Sequence, residues 1–413
     1  MRPPRFFTMA FRNVRRNRRR SLITLAAIVL GVTMVTVMRG FMEGAQVLMV
    51  DDAVRGKSGA LQIHRKGYLA NAASDPTALA MRHGGALVEQ MRAVKGVTAV
   101  AGRLRFSGLV SNGVSQTMFS GRGVDLAEEP KVCPRAVAGV ADGGEALREG
   151  DQGQALLGFE LARSFGLAVA VDKRPTVNLQ SSSPEGRANS LEVQVKGLTV
   201  SNLPFENKRV VTVPLATAQS LLGMEEQVTE YVLAVDDLSR VDRVAESLRA
   251  ALGPEYEVHT WKEVMPFVRD VVNRQNFVLG TVAVVLFVIV LTGIINTMLM
   301  SVFERVREIG TMLAVGVRRR QVLWLFVLEA GVLGVAGGSA GAALGSAAVG
   351  VLGAVGLPVQ LSGTSGSSML RPSVSAVFVA VAVLIAFIGA LLAAAYPAYR
   401  ASRQNPVDAL RSA

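Results

Sequence analysis

Residues 12–38 read RNVRRNRRRSLITLAAIVLGVTMVTVM, a run of arginines followed by an apolar run that contains no charged residue. The apolar part, Ser21 to Met38, has about 18 residues, close to the roughly 20 that a helix needs to cross a bilayer core. A cleavable signal peptide usually has a shorter apolar region of about 7 to 15 residues. We therefore predict an uncleaved membrane helix whose basic end faces the cytoplasm.

The positive charge of the chain is concentrated beside its apolar runs. The 413 residues have a net charge of +12, and segments 2–20, 303–320 and 400–411 together hold 16 arginines and three acidic residues. A nucleic-acid-binding domain spreads its positive excess over a folded face. Cytoplasmic loops of membrane proteins instead concentrate arginine and lysine next to their spans. The pattern thus predicts a membrane protein in contact with lipids and no nucleic-acid partner.

Three further apolar stretches predict an α-helical membrane protein with four transmembrane helices and a large α+β extracytoplasmic domain inserted between the first and second spans. The predicted parts are a basic amphipathic segment at 1–20, for which a disordered tail is the alternative, spans at 21–42, 276–303, 319–355 and 374–399, the inserted domain at 43–275, a cytoplasmic helix at 304–318, an outer loop at 356–373 and a cytoplasmic tail at 400–413. This order places both termini on the cytoplasmic side of the membrane.

The inserted domain offers no motif for chemistry. Alternating stretches at 191–195, 209–213 and 230–235 predict strands, and the pattern at 238–252 predicts an amphipathic helix. Cys133 is the single cysteine, so no disulfide can form within the chain. HExxH, CxxC and GxSxG patterns do not occur in residues 43–275. We therefore predict no catalytic residue, no metal ligand and no cofactor of this chain's own.

Two features mark the third span. Small residues recur four apart along two neighbouring rows, which predicts close packing of helix backbones. The rows are Gly337, Gly341 and Gly345, and Gly334, Gly338, Ala342, Ser346 and Gly350. Glu329 is a carboxylate inside the span, where an unpaired charge is costly. We expect it to pair with an arginine of the cytoplasmic segment, in preference to a role in a proton relay.

The segment between the second and third spans is amphipathic. Val302, Val306, Ile309 and Leu313 fall on one helical face, and charged residues fall on the others. This pattern predicts a short helix along the membrane surface, and a simple interfacial connector is the alternative. Gly316 can supply the left-handed residue that ends the helix.

The segment ERVREIGTMLAVGVRRRQV (304–322) resembles the coupling-helix region of the FtsX/MacB/LolCE-type permeases of mechanotransmitting ABC transporters. Three further segments agree with that resemblance in the same order: AFRNVRRNRRRSLITLAAIVLGV (10–32), LEAGVLGVAGGSAGAALG (328–345) and YPAYRASRQNPVDALR (396–411). The resemblance implies a bacterial inner membrane and two permease chains, identical or sister subunits, around an ABC ATPase dimer that binds ATP and Mg. It also implies that Glu304, Arg305, Arg307, Glu308 and Gly310 face the ATPase.

The sequence has no GxxxxGK[ST] motif, so we expect ATP hydrolysis in a partner chain and no enzymatic activity in this one. VMRGF (37–41) most resembles the lipoprotein-releasing LolC/LolE branch, which implies a lipoprotein substrate that leaves sideways between the first two spans for a periplasmic carrier. For these candidate path residues ordinary lipid contact is the alternative: Val35, Met38, Phe41, Met42, Phe277, Leu279, Val284 and Val288.

Three alternatives to lipoprotein release stay open. The first is MacB-like export of peptides or small molecules, and the second is FtsX-like activation of a cell-wall hydrolase without transport. The third is a sensory receptor, which would need a cytoplasmic output domain. No cytoplasmic segment in the predicted topology is longer than roughly 20 residues, which argues against the receptor.

Overall fold

The structure is a computed structural model that describes residues 18–71, 75–138, 144–167, 174–200, 204–360 and 367–403. Most of the predicted basic segment, 1–17, and most of the predicted tail, 404–413, lie outside the described residues. The chain divides into two compact units. The membrane unit comprises Met1–Gln46, Val272–Leu357 and Met369–Ala413, and the inserted domain comprises Val47–Val271 with Pro358–Ser368.

Helices dominate the membrane unit and alternate with strands in the inserted domain. The α-helices are α1 (Arg18–Ala53), α2 (Tyr68–Asn71), α3 (Gly85–Arg92), α4 (Glu129–Val132), α5 (Pro134–Ala138), α6 (Phe159–Ser164), α7 (Pro204–Arg209), α8 (Leu215–Leu222), α9 (Val241–Leu252), α10 (Trp261–Val264), α11 (Pro266–Glu304), α12 (Val306–Ala314), α13 (Arg319–Val355) and α14 (Ala376–Ser402). The strands are β1 (Leu61–Arg65), β2 (Met81–Arg82), β3 (Val97–Ser111), β4 (Gln116–Val124), β5 (Gln154–Gly158), β6 (Thr176–Ser182), β7 (Ala188–Thr199), β8 (Val210–Pro214), β9 (Gln227–Val228), β10 (Glu230–Val235), β11 (Tyr256–Thr260), β12 (Leu357–Gln360) and β13 (Ser367–Leu370).

Among the described residues, four helices are long and apolar enough to cross a membrane: α1, α11, α13 and α14. The large domain lies between the first and second of them in the chain, so the predicted architecture of four spans and one inserted domain is confirmed. The helices extend beyond the apolar runs. Helix α11 begins at Pro266, about ten residues before the predicted span, because proline is well tolerated in the first turn and the polar residues that follow continue the helix.

The two small-residue rows of α13 pack against different neighbours. A side-chain carbon at Gly341 would lie 2.7 Å from the backbone oxygen of Val29 in α1, and one at Gly334 would lie 2.7 Å from Ala390 in α14. Thr33 in α1 also donates a hydrogen bond to the backbone oxygen of Gly341 at 3.0 Å. Such approaches are closer than any residue larger than glycine allows, so the predicted packing role of these rows is confirmed.

A nine-stranded mixed sheet forms the framework of the inserted domain, in the order β11-β1-β10-β3-β4-β8-β5-β7-β6. An additional antiparallel pairing of β3 with β6 closes the six strands from β3 to β6 into a ring. The strands predicted at 191–195, 209–213 and 230–235 correspond to β7, β8 and β10, and the predicted helix corresponds to α9 after a short 3-10 turn.

Apolar side chains from both faces of the sheet form the core of the inserted domain. Leu61, Leu157 and Val213 are fully buried strand residues, and α9 covers the sheet with Val244 and Leu248. Both helix residues lie on one face because they are four residues apart. The core therefore holds the domain together without a disulfide.

Candidate functional site

The amphipathic segment between the second and third spans forms a short, well-delimited helix. Helix α11 ends at Glu304, the chain turns at Arg305, and α12 runs from Val306 to Ala314. Gly316 has a φ of 97°, and the backbone N–H of Val317 donates to the oxygen of Met312 at 3.0 Å. This is the predicted left-handed glycine ending, so α12 stops before the 318 boundary that the sequence suggested.

One side of α12 is held against three spans. Ile309 has no exposed surface and belongs to an apolar cluster with Phe326 of α13 and Ala398 of α14. Val302, at the end of α11, belongs to the same cluster. Because the helix buries its apolar side on three spans, a displacement of α12 must change the packing of those helices.

A buried ion pair reinforces this attachment. Arg305 Nη1 lies 3.3 Å from Glu329 Oε2, and the two side chains are 8% and 6% exposed. Arg305 Nε lies 3.0 Å from Glu308 Oε2, and its guanidinium is 5.5 Å from the centre of the Phe326 ring. The prediction that Glu329 pairs with an arginine of the cytoplasmic segment is confirmed. Losing either partner of such a pair would leave a buried charge uncompensated.

The five predicted coupling residues do not share one surface. Glu304, Arg307 and Glu308 are exposed, whereas Arg305 and Gly310 are buried. Arg305 is buried because its guanidinium turns towards Glu329, and Gly310 lies next to Ile309 on the apolar side. The exposed charged face thus consists of Glu304, Arg307 and Glu308. Arg305 instead attaches α12 to α13 through its ion pair with Glu329. The part that any of them plays in coupling to an ATPase stays a prediction.

The predicted path residues are divided between different environments. Phe41, Phe277, Val284 and Val288 are exposed, Leu279 is buried, and Val35, Met38 and Met42 are half-buried. Val35 also lines an apolar groove of about 170 Å³ between α1, α11 and α14, together with Phe287 and Ile385. The structure therefore does not bring the eight residues together on one surface, and their part in substrate passage stays a prediction.

Arg39, to which the sequence pattern assigned no role, connects three spans. Its Nη1 donates to Asn276 of α11 at 3.2 Å, its Nε lies 3.4 Å from Glu43, and its guanidinium is 5.8 Å from the centre of the Phe378 ring in α14. Gln46 donates to the same Asn276 oxygen at 3.1 Å. A charge within the otherwise uncharged predicted span 21–42 was the available sequence signal for this role.

Groups that could carry chemistry are sparse in the described part of the chain. No cluster of three or more histidine, cysteine, aspartate or glutamate side chains there could hold a metal ion. Cys133 is buried, and its thiol lies 3.3 Å from the oxygen of Val54. Burial raises the pKa of this thiol to about 11, so it stays protonated and weakly nucleophilic at neutral pH.

Comparison with protein families gives two matches that together span most of the chain. Residues 21–251 match the family described as MacB-like periplasmic core domain. Residues 280–406 match the family described as FtsX-like permease C-terminal. The second match includes α12 and the helices that hold it.

Two individual protein sequences agree with these matches. The chain is 28% identical over 98% of its length to the macrolide export ATP-binding/permease protein MacB of Wolinella succinogenes, covering 60% of that protein. It is also 28% identical over 96% of its length to the pyoverdine export ATP-binding/permease protein PvdT of Pseudomonas syringae pv. tomato, covering 58% of that protein. The chain therefore spans about 60% of the length of these relatives. Among solved structures, the periplasmic region of MacB from Actinobacillus actinomycetemcomitans aligns with 53% of this chain and 95% of that one, with 11% identity and a TM-score of 0.36.

Proposed function

Because this chain belongs to the family of FtsX-like permeases with a MacB-like periplasmic core domain, we propose that it is the membrane subunit of an ATP-driven transporter. In this proposal two permease chains, identical or sister subunits, bind a separate ABC ATPase dimer on the cytoplasmic side of the inner membrane. ATP and Mg bind to the ATPase. The permease passes the ATPase movement through its spans to the inserted domain.

One observation carries the proposal: α12 is exposed on its charged face and packed against three spans on its other face. Glu304, Arg307 and Glu308 offer both signs of charge to a partner. Ile309 and Arg305 attach the same helix to the spans through the apolar cluster and the pair with Glu329. A helix with these two faces can act as a lever, because a force on the charged face reaches α11, α13 and α14 through close packing.

The experiment is to purify the tagged chain from its host membranes and to measure the vanadate-sensitive ATPase activity that copurifies. We expect that activity with the wild type and its loss with Arg307→Glu, because reversing an exposed charge disrupts a complementary interface. Arg187→Glu is the matched control, since Arg187 is 80% exposed on the inserted domain. Equal activity with both variants, or none with the wild type, would contradict the proposal.

Glu308→Lys tests coupling in inverted membrane vesicles that contain the chain and its ATPase. Glu308 lies beside Arg305, so a lysine there repels the residue that fixes α12. We expect ATP turnover to persist while ATP-dependent export into inverted vesicles is lost. Unchanged export would reject the role of this segment.

For the cargo, we propose export of a small molecule or peptide, a proposal supported by the names of the two relatives that match nearly the whole chain. Lipoprotein release to a periplasmic carrier is the second proposal, supported by the VMRGF segment and by the exposed apolar residues Phe41 and Phe277. Depletion of the chain separates the two. Lipoproteins retained in the inner membrane would support release, whereas normal sorting with increased macrolide sensitivity would support export. Normal sorting with loss of cell-wall hydrolase activation would instead support signalling without transport.

A further inference from the structure

The inserted domain contains a cavity that the transport proposal does not use. Its volume is about 400 Å³, within the range of about 300 to 1,000 Å³ that is usual for small-molecule sites. It is lined from the sheet by β1, β3, β4 and β10 and from the helices by α2, α7 and α10. Every lining residue belongs to the inserted domain.

Buried polar groups in the cavity wall lack hydrogen-bond partners. His64 has no exposed surface, and neither of its ring nitrogens has a hydrogen-bond partner among the described residues. Its Nε2 lies 3.5 Å from Glu230 Oε2, and Glu230 Oε1 also lacks a hydrogen bond within the described part of the chain. The imidazole is stacked on Tyr68, with 4.5 Å between ring centres. Glu230 Oε1 also lies 3.6 Å from Arg103 Nη1, so among the described residues His64 Nδ1 has neither a hydrogen bond nor an ion pair. Buried polar groups are almost always hydrogen-bonded, so this nitrogen favours a partner that enters the cavity.

The charges around the cavity favour an anion. Burial by itself raises the pKa of Glu230, but the contact with His64 and the charges of Arg105 and Arg103 outweigh it and lower the pKa to about 2. Arg103 lies behind Glu230 and is paired with the buried Glu129. Arg105 and Arg209 also line the cavity, and neither forms an ion pair with another described residue. Two cations therefore face a single carboxylate.

The remaining wall is apolar and shaped by aromatic rings. Phe106 and Phe119 meet edge to face with 5.6 Å between ring centres, and Leu69, Met118 and Val264 continue the same wall. A ligand bound here would therefore place an apolar body against these side chains and direct its polar groups towards the cations and His64.

We propose that this cavity binds a small organic acid with an aromatic or aliphatic body. Its carboxylate pairs with Arg105 and Arg209, and a hydroxyl or amine on its body hydrogen-bonds to His64 or Glu230. This site goes beyond the proposed transport function, because binding requires neither ATP nor an ATPase.

The test uses the full chain in lipid nanodiscs and isothermal titration calorimetry, with the heat from empty nanodiscs subtracted. The probe is 6-hydroxy-2-naphthoate, and the neutral control is the same molecule with a hydroxymethyl group in place of the carboxylate. We expect saturable binding of the acid by the wild type. Arg105→Gln should weaken it about 10- to 100-fold, the effect of losing a hydrogen bond to a charged group. Arg187→Gln, at an exposed arginine of the same domain, should leave it unchanged.

A second variant tests the cavity independently, in case Arg105→Gln does not fold. Leu69 is 39% exposed at the cavity wall, so Leu69→Trp should fill the cavity and abolish binding while the thermal unfolding temperature stays close to that of the wild type. Failure of the wild type to bind the acid would overturn the proposal. Equal affinity for the neutral control, or equal affinity in the wild type and both cavity variants, would overturn it as well. Because no ATPase is present, none of these results bears on the transport proposal.

Discussion

The attachment of α12 through Arg305 and Glu329 predicts the effect of a single conservative change, Glu329→Gln. Both side chains of the pair are less than 10% exposed, and breaking a buried ion pair by removing one partner costs about 3 to 5 kcal/mol. Two features reduce that figure here. Glutamine keeps an oxygen that can accept from Arg305. Glu308 also stays 3.0 Å from Arg305 Nε, although this carboxylate is 48% exposed and such surface pairs contribute at most about 1 kcal/mol.

We therefore expect Glu329→Gln to lower the free energy of local opening of α12 by about 1 to 3 kcal/mol, which corresponds to an increase of about 5- to 150-fold in the opening equilibrium. Hydrogen–deuterium exchange of peptides covering 306–314, with the chain in nanodiscs, measures this directly. Exchange of α9 in the inserted domain serves as the internal reference, because its core is separate from the membrane unit.

The matched control is Glu304→Gln, at an exposed carboxylate beside the same turn. We expect less than about a threefold change there, in line with the small contribution of surface charges. If Glu329→Gln changed the exchange of 306–314 no more than Glu304→Gln does, the buried pair would not hold α12 against the spans. The proposed transmission of force through α12 would then be wrong.

Three further predictions concern packing and protonation. Gly341→Ala should destabilise the chain by about 1 to 3 kcal/mol, because the added carbon would lie 2.7 Å from the backbone oxygen of Val29. Gly350 has open space around it, so Gly350→Ala should be neutral or slightly stabilising. Thermal unfolding in detergent compares the two variants. Cys133 should react slowly with iodoacetamide at pH 8 and rapidly in denaturant, as followed by mass spectrometry, because burial raises its pKa to about 11; fast labelling of the native chain would contradict this. The pKa of Glu230 is lowered from 4.5 to about 2, so its contribution to stability is present above pH 4.5 and is lost as the pH falls towards 2. Between these pH values, the free energy of unfolding measured with urea should fall less for Glu230→Gln than for the wild type. Equal falls in the two proteins would contradict the assignment.

Features with a local periodicity could be predicted from the sequence. The four spans follow from uninterrupted apolar runs, and the rows of small residues in α13 predicted close packing. The sequence could not tell which neighbour each row contacts, because the four-residue spacing does not identify the partner helix. Gly341 packs on α1 and Gly334 on α14 only through the three-dimensional arrangement of the spans.

The ion pair of the candidate site could be predicted from the sequence, but the direction of the Arg305 side chain could not. Glu329 required a cation, and the segment between the second and third spans supplied one in Arg305. Arg305 was expected among the exposed charges because a continuous helix from 304 would point it outwards. The chain instead turns at Arg305, between α11 and α12, and this break directs the side chain inwards.

The cavity of the inserted domain was outside the reach of sequence reasoning. His64, Arg105 and Glu230 come from β1, β3 and β10, strands that are distant along the chain and adjacent only in the sheet. The ring closure of β3 with β6 is equally non-local. Single residues of this kind carry no periodic signal, and only strand order brings them together.

The proposed mechanism requires α12 to face the cytoplasm and the inserted domain to lie on the opposite side of the membrane. Its most direct test is labelling of single cysteines, introduced by Arg307→Cys or Arg187→Cys in a Cys133→Ala background, with a membrane-impermeant maleimide on intact spheroplasts. We predict that Arg187→Cys is labelled at once and that Arg307→Cys is labelled only after the membrane is permeabilised. Labelling of both positions in intact spheroplasts would place α12 and the inserted domain on the same side of the membrane and contradict the mechanism.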